Sequence, residues 1–171
     1  MCCTLDQNLF VSLAYVPFCS QEANFYHCAA YGTPIPEALW NGGNNVTGVA
    51  PVGCPKRPSA RLSKQALQYA VEIADDEVGH VKLLKAVLGA DAVPMPLIDI
   101  GPAFTAAADA AVKLALGSNC TTLTPAFDPY GSDLFFYHAA FIFEDVGVTA
   151  YAVSQPPCMH VLHLCDPWQH T

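Results

Sequence analysis

Glu77 and His80, a glutamate and a histidine three residues apart, have the clearest chemical potential in this sequence. At i and i+3 of a helix they project from one face, so a carboxylate oxygen and an imidazole nitrogen can bind one metal ion. Burial of such groups costs several kcal/mol unless they are paired. Two other interpretations stay open: a hydrogen-bonded pair in a dry core, or a helix turned so that both face water. The apolar stripe that contains the pair consists of Ala66, Ala70, Ile73, Glu77, His80, Leu84 and Val87.

Two further stretches carry one glutamate each within an apolar stripe. One stripe is Tyr15, Phe18, Glu22, Phe25 and Ala29, and the other is Tyr137, Phe141, Glu144, Val148 and Tyr151. Three isolated carboxylates that face one another would repel and take up protons, whereas divalent cations would keep them ionised. We therefore predict a metal site, for iron or manganese, formed by Glu22, Glu77, His80 and Glu144. The nearby residues Asp75, Asp76, His138 and Asp145 fall off the stripes and are interpreted as the solvated face.

Helix start and stop signals place these residues on separate helices. The predicted helices are Phe18 to Tyr31, with Pro17 fixing the start; Ser63 to Leu88, closed by Gly89; Pro102 to Leu116, closed by Gly117; and Ser132 or Asp133 to about Val153. The segment from Thr33 to Arg61 is too rich in Gly, Pro and Asn for a long element and predicts a loop, with one short turn around Pro36 to Trp40. The expected fold class is all-α, an antiparallel bundle with three core helices plus a short extra helix.

Composition narrows the classes of partner. The chain has 171 residues, 53% of them hydrophobic and 13% charged, with a formal net charge of -8. No Lys or Arg follows Lys113, so we expect no nucleic-acid partner. No apolar run reaches the roughly 18 to 20 residues that span a bilayer, so we expect no membrane span.

The eight cysteines lack a C-x-x-C rhythm, which excludes a zinc ribbon or thioredoxin motif on spacing. Their even number permits disulfides in an oxidising compartment, and Asn45 and Asn119 each begin a glycosylation sequon. The first twenty residues make a poor signal peptide because no Lys or Arg precedes their apolar middle. The sequence does not fix the compartment.

Four segments carry a resemblance to a known family. They are Glu22-Ala23-Asn24-Phe25-Tyr26, Asp76-Glu77-Val78-Gly79-His80, Phe127-Asp128-Pro129-Tyr130 and Glu144-Asp145-Val146-Gly147-Val148-Thr149-Ala150-Tyr151. Together with Ile35-Pro36-Glu37 and the following Gly42-Gly43, they resemble the ferritin-like domain proteins related to plant desiccation-related proteins. The resemblance divides the chain into a divergent segment 1–20, a partial ferritin-like domain 21–153 and a divergent tail 154–171. It implies that Glu22, Glu77, His80 and Glu144 face a metal, with Glu77 or Glu144 bridging ions and His80 as a terminal ligand. The implied chemistry is redox turnover of oxygen or peroxide, and the family is often exported.

The chain departs from the family pattern at both ends. Cys19 stands where the family usually has a second glutamate, and no bundle-length fourth helix with another Glu-x-x-His follows Tyr151. Half of a two-metal site would then be absent, so we expect little or no catalysis and a truncated, alternatively spliced or mispredicted gene product. The open side of the core predicts an exposed apolar face and homo-oligomers.

Two competing interpretations of the whole chain remain open. The fold could serve as a non-enzymatic structural or stress protein that has lost metal binding, or the chain could fail to fold stably. In the tail, Cys158, His160, His163 and Cys165 could bind zinc or copper, although an exposed tail without a site explains them equally.

Overall fold

A computed structural model describes residues 7–56, 61–117 and 122–154, with no account of the side chains of 7–15 and 150–154. The helices are α1 (Gln7–Tyr31), α2 (Lys64–Leu88), α3 (Pro102–Leu116) and α4 (Asp133–Ser154). Short 3₁₀ turns occur at Glu37–Leu39, Gly43–Asn45 and Gly89–Asp91. The described residues form no β-strand, only one isolated bridge between Val52 and Asp99. The expected all-α class is confirmed, and the predicted tail site at 158–165 lies outside the described residues.

The termini of α2 and α3 follow the capping signals in the sequence. The Ser63 hydroxyl accepts a hydrogen bond from the Ala66 amide at 3.2 Å, which satisfies one of the amides that a helix leaves unpaired at its start. Gly89 ends α2 and Gly117 ends α3, both at positive φ, where a glycine avoids the steric cost of a Cβ. Pro102 opens α3, where its missing N–H costs nothing.

The prediction that Pro17 fixes the start of the first helix is wrong. Helix α1 begins at Gln7 and includes Pro17, so it runs continuously through the proposed boundary at residue 20. A proline inside a helix removes one backbone hydrogen bond. Packing on both sides of Pro17 offsets that loss: Val16 is buried against Leu88 and Ala92, and Cys19 is buried in a cluster with Val81.

Helix α1 is the centre of the bundle and runs antiparallel to α2 and α4. Along α1, Val16 packs on Leu88, near the end of α2, and the Tyr31 hydroxyl donates to Asp75, nearer its start, at 3.0 Å. On the side of α1 that faces α4, Glu22 lies against Gly147. Tyr26, later in α1, contacts Glu144, which is nearer the start of α4. Two core helices therefore bring their side chains to the same stretch of α1.

Helix α4 presents a different face to α1 from the one predicted. Its buried side chains are Phe136, Ala139 and Phe143, and the Phe143 ring lies 4.7 Å from that of Phe25. The predicted stripe is instead mostly exposed, since Tyr137, Phe141 and Val148 all face solvent. Both faces of α4 are apolar, and the larger aromatic cluster around Phe25 decides which one is buried. The prediction that the Tyr137-to-Tyr151 stripe faces the core is therefore wrong for these three residues.

The long loop after α1 is held by buried polar contacts and by a disulfide. The Asn24 side chain donates to the Ser20 carbonyl at 2.6 Å and accepts from the Ile35 amide at 3.2 Å, which fixes the start of the loop on α1. Cys28 in α1 is bonded to Cys54 near the far end of the loop. The loop also pairs with residues 92–100 through the amides of Val49 and Val52. The predicted loop, with its short turn at Glu37–Leu39, is confirmed.

Candidate metal centre

Three potential metal ligands meet where α1 packs on α2. Cys19 and Glu22 lie at i and i+3 on α1 and so share one face, while Glu77 faces them from α2. The Cys19 sulfur and one oxygen of each carboxylate all lie within 4.8 Å of one another. All three residues are buried: Cys19 is 2% exposed, and each glutamate is 7% exposed. We call these residues the Cys19–Glu22–Glu77 cluster.

Glu22 is the least compensated member of this cluster. No described residue donates a hydrogen bond to its carboxylate, and no described Lys or Arg pairs with it. Burial raises its pKa to about 8, and the nearby charges of Glu77 and Glu144 add to the shift. A Cβ on Gly147 would collide with Oε1 of Glu22, so the glycine provides the space that this carboxylate occupies.

Glu77 has one compensating contact. Its Oε2 lies 3.2 Å from Nδ1 of His80, one turn along α2. Burial raises the pKa of the Glu77 carboxyl, and the contact with His80 opposes that rise. The His80 side chain is 58% exposed, so the imidazole lies at the mouth of the cluster and not inside it.

Glu144 lies on the α4 side of the same region. The Tyr26 hydroxyl donates to its Oε1 at 2.8 Å, and Glu144 is otherwise exposed. Burial is the main cause that raises the pKa of Tyr26, and the hydrogen bond to Glu144 adds to it. Tyr26 therefore remains a hydrogen-bond donor at neutral pH.

The four residues predicted from the sequence converge, but with different burial. Glu22 and Glu77 are buried within the cluster, whereas His80 and Glu144 lie at its rim. His80 contacts Glu77, and Glu144 contacts Tyr26. Sequence reasoning did not select Cys19 as a ligand. Its spacing of three residues from Glu22 was the available signal, since that spacing places both side chains on one helix face.

The donor set fits a divalent cation. Two buried carboxylates face each other, and no described Lys or Arg neutralises them. Such a pair is normally protonated, bridged by a proton or bound to a cation. A cation would supply the missing positive charge and would coordinate the Glu22 oxygens in place of hydrogen bonds. The described residues also contain no helix long and apolar enough to cross a membrane.

A helical bundle with carboxylates from two or three helices turned toward one point is the arrangement of ferritin-like helical bundles. Residues 19–160 match the family model of the ferritin-like domain, and the chain belongs to that family. It is also 31% identical, over 139 residues, to the desiccation-related protein PCC13-62 of Craterostigma plantagineum. That similarity covers 79% of this chain but only 39% of the relative. No solved structure matches.

Proposed function

We propose that this chain binds a divalent metal ion between α1, α2 and α4, through Glu22 and Glu77 with His80 and Glu144 at the rim. The observation that carries the proposal is the buried Glu22 carboxylate, which faces Glu77 without any described hydrogen-bond donor or basic partner. Carboxylate oxygens and an imidazole suit iron and manganese, which are the metals we propose. When bound, the metal would supply Lewis-acid and redox chemistry with oxygen or peroxide.

The chain's own residues have separate tasks in this proposal. Glu22 and Glu77 would hold the cation, and a proton bound to either carboxylate would pass to solvent. The Nδ1–H of His80 donates to Oε2 of Glu77 at 3.2 Å and so orients that carboxylate. Tyr26 holds Glu144 on the α4 side through the 2.8 Å hydrogen bond. Stress protection by such chemistry is part of the proposal, by analogy with the desiccation-related relative.

The test is metal analysis of the purified full-length chain with and without the site. We expect near-stoichiometric iron or manganese in the parent after reconstitution, and loss of that metal in the Glu77→Ala, His80→Ala double variant. Glu72→Ala is the matched control, because Glu72 is exposed on the same helix. Equal metal content in the double variant and the parent would refute the proposed site.

The second candidate is a non-enzymatic structural protein without a metal. The hydrogen bonds of Glu77 with His80 and of Glu144 with Tyr26 favour it, because they satisfy two of the carboxylates within the protein. In that case added iron or manganese leaves the thermal unfolding midpoint unchanged. A rise of the midpoint with metal concentration in the parent, but not in the double variant, favours the metal site.

A further inference from the structure

The proximity of the Cys19 sulfur to the two buried glutamates changes the ligand chemistry of the site. A sulfur ligand is soft, whereas manganese and magnesium prefer sites built from oxygen. The cluster offers one thiol sulfur and two carboxylate oxygens, all within 4.8 Å of one another. This donor set resembles neither an all-oxygen site nor the cysteine-rich sites that close around structural zinc.

We propose, resting on the metal site above, that Cys19 is a direct thiolate ligand, so that the same site binds thiophilic divalent cations such as zinc and cobalt more tightly than manganese. Three protein ligands on a tetrahedral ion leave a fourth position open, as in zinc sites that bind water or a substrate. Binding breaks the S–H bond of Cys19. The sulfur keeps the electron pair and bonds to the cation, and the proton passes to solvent. No oxidation or reduction is involved.

The geometry supports a site that closes with small movements. Ligand atoms on one tetrahedral zinc ion lie roughly 3.5 Å apart, given bonds of about 2.0 to 2.3 Å. Separations of up to 4.8 Å are larger than this distance by roughly 1 Å, so the ligand atoms must move slightly closer to bind one ion. Glu22 is only 7% exposed, and its carboxylate lies in the cluster. No described residue donates a hydrogen bond to it. A buried carboxylate next to a second carboxylate, with no described Lys or Arg beside it, is an environment that favours a bound cation.

His80 then has a positioning role. Its Nδ1 contacts Oε2 of Glu77, and hydrogen bonds of this kind orient a metal-binding carboxylate. His80→Ala should weaken the binding of both zinc and manganese, whereas loss of the thiol should act selectively on zinc.

The experiment compares metals in the full chain. In the background variant, serine replaces the five cysteines that belong neither to the cluster nor to the disulfide. These are Cys2, Cys3, Cys120, Cys158 and Cys165. In this variant, Co²⁺ should give an intense thiolate-to-cobalt band in the near ultraviolet, and Zn²⁺ should displace the cobalt. Adding Cys19→Ser should abolish the band and weaken Zn²⁺ binding at least about tenfold, with much less effect on Mn²⁺. Glu72→Gln is the control that leaves both unchanged.

The outcomes separate the two proposals. Cobalt that binds without the near-ultraviolet band, or Zn²⁺ affinity that survives Cys19→Ser, overturns thiolate ligation but leaves the carboxylate site intact. No binding of Zn²⁺, Co²⁺, Mn²⁺ or Fe²⁺ to the background variant overturns both. If Cys19→Ser does not fold, the presence or absence of the cobalt band in the background variant still decides the question.

Discussion

The protonation of Glu22 links the stability of the metal-free protein to pH. The pKa of this carboxyl is about 8 in the folded chain, against 4.5 for an unperturbed glutamate. The folded state therefore binds more protons than the unfolded state between these values, so the free energy of unfolding falls as pH rises through that window. A shift of this size corresponds to a loss on the order of a few kcal/mol.

We expect urea unfolding of chelator-treated protein to show this loss between pH 5 and pH 9, and Glu22→Gln to flatten it. The amide stays neutral at every pH, so Glu22→Gln should be the more stable protein at the alkaline end. Glu72→Gln should keep the parent's pH dependence. A parent whose stability rises over this range would contradict the burial that we describe for Glu22.

Gly147 gives a second test at the scale of single residues. A Cβ at this position would overlap Oε1 of Glu22, so Gly147→Ala forces the carboxylate away from α4. We expect a loss of about 1–3 kcal/mol from overpacking, measured by chemical denaturation. Gly79→Ala is the matched control in α2, because an added Cβ there meets nothing within 4 Å. That change should be stabilising by about 1 kcal/mol, since alanine favours the helix.

The four residues proposed from the sequence lie near one another, but the sequence did not predict how deeply each one is buried. The spacing of Glu77 and His80 placed both on one stripe, yet the buried face of α2 runs through Ala74, Glu77 and Val81 and leaves His80 outside. A stripe defined by alternating steps of four and three is broader than the true contact. In the sequence, Cys19 is only a departure from the family's second glutamate, and its residue type does not separate a ligand from a packed side chain because a buried cysteine can be either.

Among the helices, capping signals proved more reliable than helix breakers. Ser63, Gly89, Pro102 and Gly117 mark the termini of α2 and α3 as expected. Pro17 did not end α1, because the contacts around Val16 and Cys19 depend on neighbours that are distant in sequence. The difference between the predicted and the observed buried face of α4 has the same origin. The amphipathic pattern of α4 is weak, and the aromatic cluster around Phe25, which is distant in sequence, selects the face that is buried.

Asn24 ties α1 to the loop that follows it, and its loss should weaken that connection. Asn24→Ala removes the acceptor for the buried Ile35 amide and the donor to the Ser20 carbonyl. We expect a loss of about 1–3 kcal/mol, since a buried N–H is left without a partner. Thermal and urea unfolding measure it, with exposed Gln68→Ala as the control. Equal stability of the two variants would contradict an anchoring role for Asn24.

The whole molecule exposes an apolar face on α4. Leu134, Phe141 and Val148 are 63%, 69% and 67% exposed and recur every seven residues, so they form one stripe along the helix. Isolated apolar side chains are common on surfaces, but a continuous stripe favours association. The homo-oligomer expected from the sequence therefore stays a prediction, and this face is where we place it.

We expect the purified chain to self-associate with increasing concentration, and Phe141→Lys to reduce that association. Light scattering coupled to size-exclusion chromatography measures the mass across a dilution series. Gln68→Lys introduces the same charge on the exposed face of α2 and should leave the mass unchanged. An equal effect of both variants would show that net charge, and not the α4 stripe, controls association.

At the scale of the whole chain, the sequence was sufficient for the fold class and the family. Both rest on long, ordered motifs and on periodicity that spans whole helices, and the family match covers residues 19–160. The metal was not predictable to the same degree. Its identity depends on which ligand atoms meet within a few ångströms, and that distance is set by packing between helices far apart in sequence.

The bond between Cys28 and Cys54 closes a ring that contains most of the loop after α1. A protease that cleaves once between these two cysteines cannot release α1 from the rest of the molecule. The nicked protein would migrate as a single species on a gel without reductant and as two fragments once the disulfide is reduced. The exposed loop can therefore be cut without separating the helix that carries Cys19 and Glu22 from the one that carries Glu77.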